Sequence, residues 1–316
     1  MQEIELKFQI PQAALQGVQD RLNLAPGHTR ERLQAHYFDT LDRRLGQARS
    51  ALRLRQEGDR WVQTLKALGA NTMIRLEDNQ AVTDPAAGSA AKIDLGRHRG
   101  GAAEASLVKA LAWNPEVDPA GDHTGLVELY RTDIWRQTAR VKMGQGTPFE
   151  GVVELALDLG HIRAGELSLP VCELEIELLE GQAMAVIVAA RRWVERHALW
   201  LDTRTKAHRG DRLARQAGGQ GAPAFRKPSA ATNLASGLEQ ITDAMSLVAL
   251  GGEGVDQATS QWRQAFHSLA TLPVPLETKP AVTRFMQELD RTRTPVELAR
   301  APSTTLLCLD LFAVLL

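Results

Sequence analysis

Polar and apolar residues alternate through the first two thirds of the chain, a period of two that predicts strands. In residues 2–10, Glu3, Glu5 and Lys7 fall on one side and Ile4, Leu6 and Phe8 on the other. His36–Thr40 reads as a short strand. Ala51–Gln56 alternates with Arg53 and Arg55 in phase, Gly58-Asp59 turns the chain, and Trp61–Lys66 returns it, which predicts a hairpin. Ile74–Val82 sets Arg75, Glu77 and Asn79 in phase. Strands are expected again at Leu126–Val141, Gly151–Leu159 and Pro170–Leu179, with a turn over Gly160–Gly165 and a last strand over Leu201–Arg209. Apolar spacing of three to four at Pro11–Leu24, Ala105–Trp113 and Ala183–His197 predicts helices.

The pattern changes twice. Residues 84–125 lose the alternation and read as a long connection holding one helix. Residues 215–228 are rich in Gly, Ala, Gln and Pro and read as a linker. Beyond it Leu234, Leu238, Ile241, Met245 and Val248 recur at helical spacing, and prolines 273, 275 and 280 cut the tail into short helices. The expected organisation is a strand-rich domain over 1–212, a linker over 213–228 and a helical appendage over 229–316. The apolar stretch Leu306–Leu316 calls for a burial partner: the tail's own helices, the barrel or a second subunit.

Composition narrows the class. The chain has 316 residues, 44% hydrophobic and 24% charged, with formal net charge -1, so nothing in the total suggests a nucleic-acid binder. Cys172 and Cys308 form neither a disulfide framework nor a C-x-x-C pair. A charged N-terminus argues against a signal peptide. No apolar run reaches the roughly 20 residues needed to span a bilayer. A reduced, cytoplasmic setting is the expectation.

Sorting of charge onto strand faces carries the chemistry. Glu3 with Glu5, and Glu173 with Glu175 and Glu177, form acidic rows, and Glu154 and Asp158 share a phase. Arg53 with Arg55, and Lys66, Arg75 and Arg136, form basic ones, with Lys206 and Arg209 following. Like charges two apart on one strand face repel mildly unless something sits between them. Carboxylate rows suit a hard divalent cation, and arginine rows suit phosphate oxygens. Many antiparallel strands need their edges removed, and a barrel of about eight strands leaves room for one small ligand. The fold expected is α+β: an antiparallel barrel with charged residues inside and the three helices covering its apolar outside.

The residues resemble the CYTH superfamily, the triphosphate tunnel metalloenzymes. Glu3-Ile4-Glu5-Leu6-Lys7 fits its ExExK signature. YFDT (37–40), ALRLR (51–55), WVQTLK (61–66), ELALDLGHIRAGE (154–166), CELEIELLEG (172–181) and TKAHRG (205–210) follow in the family's order. The similarity covers about two thirds of the chain and is greatest to bacterial inorganic triphosphatases in which a CYTH domain precedes a helical CHAD domain. It implies an eight-stranded tunnel, hydrolysis of inorganic triphosphate, and Mg²⁺ or Mn²⁺ as cofactor. By position it implies Glu3, Glu5, Glu173 and Glu175 as metal ligands, with Glu154 or Asp158 completing the site. Lys7, Arg53, Arg55, Lys66, Arg75, Arg136 and Lys206 would hold phosphate oxygens, with Arg209 bracing Lys206. Glu3, Glu5, Lys7, Glu154 and Asp158 are the residues expected to take part in catalysis.

Single residues have plainer readings. Glu177 reads equally as a solvated strand-end charge. Arg131 and Arg136 differ in parity, so without a bulge only one points inward. Cys172 should face outward, His161 is a turn residue, Tyr37 packs or hydrogen-bonds near the tunnel, and Asp39 and Asp42 cap turns. The tail departs from the CHAD pattern: it is short and lacks a basic helix, so it reads as a truncated appendage. Polyphosphate binding and homo-oligomerisation through it are further expectations; nucleic acid and membrane partners are not expected. Competing functions are adenylate cyclisation, hydrolysis of nucleoside or thiamine triphosphate, and a non-catalytic polyphosphate-binding module.

Overall fold

A computed structural model describes residues 2–71, 73–82, 92–221, 231–273 and 275–316. Parts of the expected connection (84–91) and linker (222–228) lie outside the described residues. In chain order the elements are β1 (Gln2–Gln9), α1 (Leu15–Asn23), β2 (Thr29–Thr40), α2 (Arg44–Gln47), β3 (Ala51–Glu57), β4 (Arg60–Asn71), β5 (Ile74–Val82) and α3 (Glu104–Leu111). Then come β6 (Leu126–Met143), β7 (Gly151–Ala164), β8 (Leu167–Gly181), α4 (Met184–His197), β9 (Trp200–Leu201) and α5 (Lys206–Ala217). The tail holds α6 (Leu234–Leu250), α7 (Val255–Ala270), α8 (Lys279–Arg291), α9 (Pro295–Arg300) and α10 (Pro302–Ala313).

The strands run in the order β5-β4-β3-β2-β6-β7-β8-β1, every neighbour antiparallel, and β1 pairs with β5 to close eight strands into a barrel. Closure satisfies both edges, and the short β9 adds only to the end of β1. The alternation read from the sequence is the inside–outside alternation of this barrel. Leu6, Phe8, Leu155, Leu157, Leu174 and Ile176 point outward and are buried under α1 and α4. Leu52, Leu65 and Ala67 lie under α3 and the segment before it.

Two expected elements differ. Gly160–Gly165 is not a turn: β7 runs to Ala164, with Gly160 between Ile134 and Val171. A Cβ on Gly160 would lie 2.0 Å from the Asp133 carbonyl oxygen, so this glycine serves a close strand approach. Leu201–Arg209 is not a strand: β9 has two residues, and the Thr205 hydroxyl accepts from the His208 N–H at 3.1 Å to start α5. α5 lies across the barrel end. Its Gly210 sits on the Tyr130 ring, where a Cβ would meet a ring carbon at 2.1 Å.

The helical tail is not a separate body. α10 packs on α4 and β9, and one apolar core joins the outer barrel face to α6–α10. Asp310, the one charge in the apolar terminal stretch, pairs with Arg191 of α4, and the Leu201 N–H donates to Thr305 Oγ1 at 3.1 Å. The burial partner sought for that stretch is therefore this chain's own helices. Among the described residues no helix is long and apolar enough to cross a membrane.

Candidate active site

A cavity of about 1300 Å³ runs through the barrel. Glu3, Glu5 and Lys7 enter it from β1, Arg53 and Arg55 from β3, Lys66 from β4, and Arg75 and Glu77 from β5. Arg136 enters from β6, Glu154 and Asp158 from β7, Glu175 and Glu177 from β8, and Lys206 from the first residue of α5. Nearly every charged position picked from strand parity is thus inside. Arg136 is the inward member of its pair, while Arg131 lies outside against Glu128. Glu173 is buried but does not line the cavity.

Three regions differ in balance. On the β6–β8 wall, Arg136 grips Asp158 through two bonds of 2.7 and 2.6 Å and reaches Glu175 at 2.5 Å. Lys206 lies 2.5 Å from Asp158 and 3.0 Å from Glu175 and also pairs with Glu173, which Arg209 holds from behind. Three acids meet three bases. Burial opposes ionisation of Asp158 and Glu175, but Arg136 and Lys206 keep both below the ordinary carboxylate range. Arg209 does brace Lys206, through Glu173.

The β1–β5 wall carries surplus negative charge. Lys66 bonds Glu3 at 2.7 and 2.8 Å and stands 3.3 Å from Glu77; Lys7 pairs with Glu5, and Arg75 lies 3.9 Å from Glu5. Glu177 faces Glu5 across β8 and β1, and Glu154 faces Glu177 across β7 and β8. Directly opposed residues hold their Cβ atoms about 4.5–5.5 Å apart, so three carboxylate stems stand side by side. Glu177 makes no ion pair among the described residues. Burial, then the charges of Glu3 and Glu5, push it up to about 8. Burial and Glu5 likewise raise Glu3 to about 7. Burial also works against Glu77, yet Lys66 and Arg53 hold it down at about 2.

The β3 wall is positive. Arg55 is pushed below its ordinary value by burial and by neighbouring Arg53, with only Glu57 as a bonded partner, at 2.7 Å. Burial would raise the Tyr37 phenol, but Arg53, which donates to its oxygen at 3.4 Å, brings it down. Tyr37 therefore does more than pack. Asp39 caps as expected, accepting from the N–H groups of Thr40, Leu45 and Gly46 at 2.7–2.9 Å.

A region rich in carboxylates and a region rich in arginine, separated by β4, line the same cavity, which fits a hard divalent ion bound together with a polyanion. Two carboxylate groups could receive the ion. Asp158, Glu173 and Glu175 can each bring one oxygen within 4.8 Å of the others, but Arg136, Lys206 and Arg209 already neutralise them. Glu3, Glu5 and Glu177 form the second group, in which Lys66 pairs Glu3 and Lys7 pairs Glu5 while Glu177 has no ion pair among the described residues. Parity placed Glu177 on the right face; only the pairing register, which is non-local, puts it opposite Glu5.

The CYTH domain family matches residues 1–210. Solved structures with a similar fold include a putative adenylate cyclase from Bacillus halodurans (21% identity, 62% of this chain and 89% of that chain, TM-score 0.35). A Hippeastrum putative adenylyl cyclase described as having a dominant triphosphatase activity shows 20% identity over 70% of this chain and 98% of its own, TM-score 0.39. An inorganic triphosphatase shows 17% identity over 58% and 77%, TM-score 0.21. With two thirds of its length matched by the family and a closed tunnel of sorted charge, the chain belongs to the CYTH domain family.

Proposed function

We propose that the chain hydrolyses inorganic triphosphate to pyrophosphate and phosphate inside the tunnel, with Mg²⁺ or Mn²⁺ as cofactor. The observation that carries this reading is the charged interior: the carboxylates of Glu3, Glu5 and Glu177 and the guanidinium groups of Arg53 and Arg55 line one cavity. Glu3, Glu5 and Glu177 would hold the cation, which supplies charge neutralisation at the transferred phosphoryl group when bound. Glu173 and Glu175, the other ligands expected from the sequence, form with Asp158 a second group whose oxygens lie close enough to share an ion, and without one they pair with Lys206, Arg209 and Arg136. Arg53, Arg55 and Lys7 bind the phosphate oxygens, and Arg136 and Lys206 stand where charge develops in the transition state. Glu154, whose ion partner is the exposed Arg140 at 3.8 Å, is placed to orient the attacking water and take its proton.

A bare phosphate chain is favoured over a nucleotide because Tyr37 and Tyr130, two of the few aromatic residues lining the cavity, stack on each other with centroids 4.8 Å apart. That contact leaves little aromatic face for a base. The test is phosphate release from triphosphate, pyrophosphate, ATP and thiamine triphosphate with Mg²⁺. Preferential turnover of triphosphate is expected; preference for ATP with pyrophosphate as product would replace this reading with a cyclase.

A further inference from the structure

The cavity does not stop at the barrel. Beside α5 it continues into a vestibule roofed by α6 and α7. The two sides of this space differ in charge. The barrel rim and α5 supply Arg49, Lys206, Arg212 and Arg215, with Arg204 just before α5 and one acid, Asp211, which Arg43 and Arg215 pair. The roof supplies Glu239, Asp243 and Glu253 and, among the described residues that line the cavity, no lysine or arginine. One ion pair crosses the gap, from Arg49 at the end of the α2–β3 turn to Glu239 of α6. The roof is fixed in place: Thr203 donates through its hydroxyl to Asp243 at 2.9 Å and through its N–H to Ser246 Oγ at 3.0 Å.

We propose that this acidic roof is a length filter, with Glu239 as a specificity-determining residue acting through Arg49. The inference rests on the triphosphate reading of the tunnel. Room does not limit the substrate, since about 1300 Å³ exceeds the roughly 300–1,000 Å³ of ordinary small-molecule sites. Charge does. A polyphosphate that outgrows the barrel passes between Arg212 and Arg215 on one side and three roof carboxylates on the other, and it must take Arg49 from Glu239; the like-charge contact with the roof opposes binding. A chain that ends within the barrel meets the arginine rows and none of this.

The experiment uses the full chain and its Glu239→Gln, Glu253→Gln, Arg49→Ala and Glu239→Gln/Arg49→Ala variants. Binding of tripolyphosphate and of a long-chain polyphosphate is measured by calorimetry, with kcat and KM for both. Glu239→Gln is expected to tighten long-chain binding about fivefold or more and triphosphate binding less than about twofold. Glu253→Gln should do the same more weakly, and Arg49→Ala should remove most of the gain in the double variant. An equal shift for both ligands, or none, overturns the filter. Should Glu239→Gln fail to fold, the exposed Glu253 decides: no long-chain gain there also overturns it. A wild-type chain that binds no triphosphate sinks the functional reading itself, a result distinct from equal shifts.

Discussion

Around Lys206, three buried acids meet three bases; around Glu5, its own carboxylate and those of Glu3, Glu77 and Glu177 make four against the three ammonium and guanidinium groups of Lys7, Lys66 and Arg75. Both regions line one barrel and use the same residue types. The difference lies in what is left over. A closed set of pairs holds α5 against β6–β8. An open set is tolerable only because protons, and on our reading a metal, supply the missing positive charge.

The strongest way to break this contrast is to unbalance the balanced side. Lys206→Met leaves Asp158, Glu173 and Glu175 short of a base, and a stability loss of about 3–5 kcal/mol is expected in urea unfolding. A loss under about 1 kcal/mol would mean that the cluster is not holding α5. Next, Glu5→Gln on the unbalanced side should lower kcat by about 10²–10³-fold while the chain still folds, with at most a modest drop in the unfolding midpoint because Lys7 loses its partner. Retained activity there would remove Glu5 from the metal site. Arg55→Ala is expected to raise KM about tenfold with kcat little changed; loss of folding would make Arg55 structural.

The smallest effect is a pH dependence without metal. Glu3 and Glu177 titrate near 7 and 8 when folded, against a value of 4.5 without the fold's influence, so the folded chain binds more protons than the unfolded one between these limits. Their contribution is full below about 4.5 and is lost as pH rises through 7 and 8, so thermal unfolding with chelator should drop by a few degrees between pH 6 and 9. Added Mg²⁺ should restore more at pH 9 than at pH 6, since cation binding needs the ionised carboxylates. A flat or rising curve would count against an uncompensated acidic wall.

Strand parity in the sequence was enough to place Glu3, Glu5, Arg53, Arg55 and Lys66 inside, because a period of two is local, while for Arg136 over Arg131 the resemblance made the choice. It missed what pairing decides. Nothing near Glu177 in the chain reveals that Glu5 lies opposite, and nothing near Glu173 reveals that Arg209 and Lys206 claim it. Lys206 was expected on a strand, yet it opens a helix whose cap, Thr205, is one residue away. The docking of α10 on α4 joins residues more than a hundred positions apart, beyond the reach of local periodicity.

That docking bears on how the molecule can be dissected. A cut between α5 and α6 would not release two finished modules, since each fragment would carry half of a shared apolar seam into water. Truncated barrels should be expected to clump or unfold for that reason, and a loss of turnover in them would say nothing about whether the helices touch the substrate.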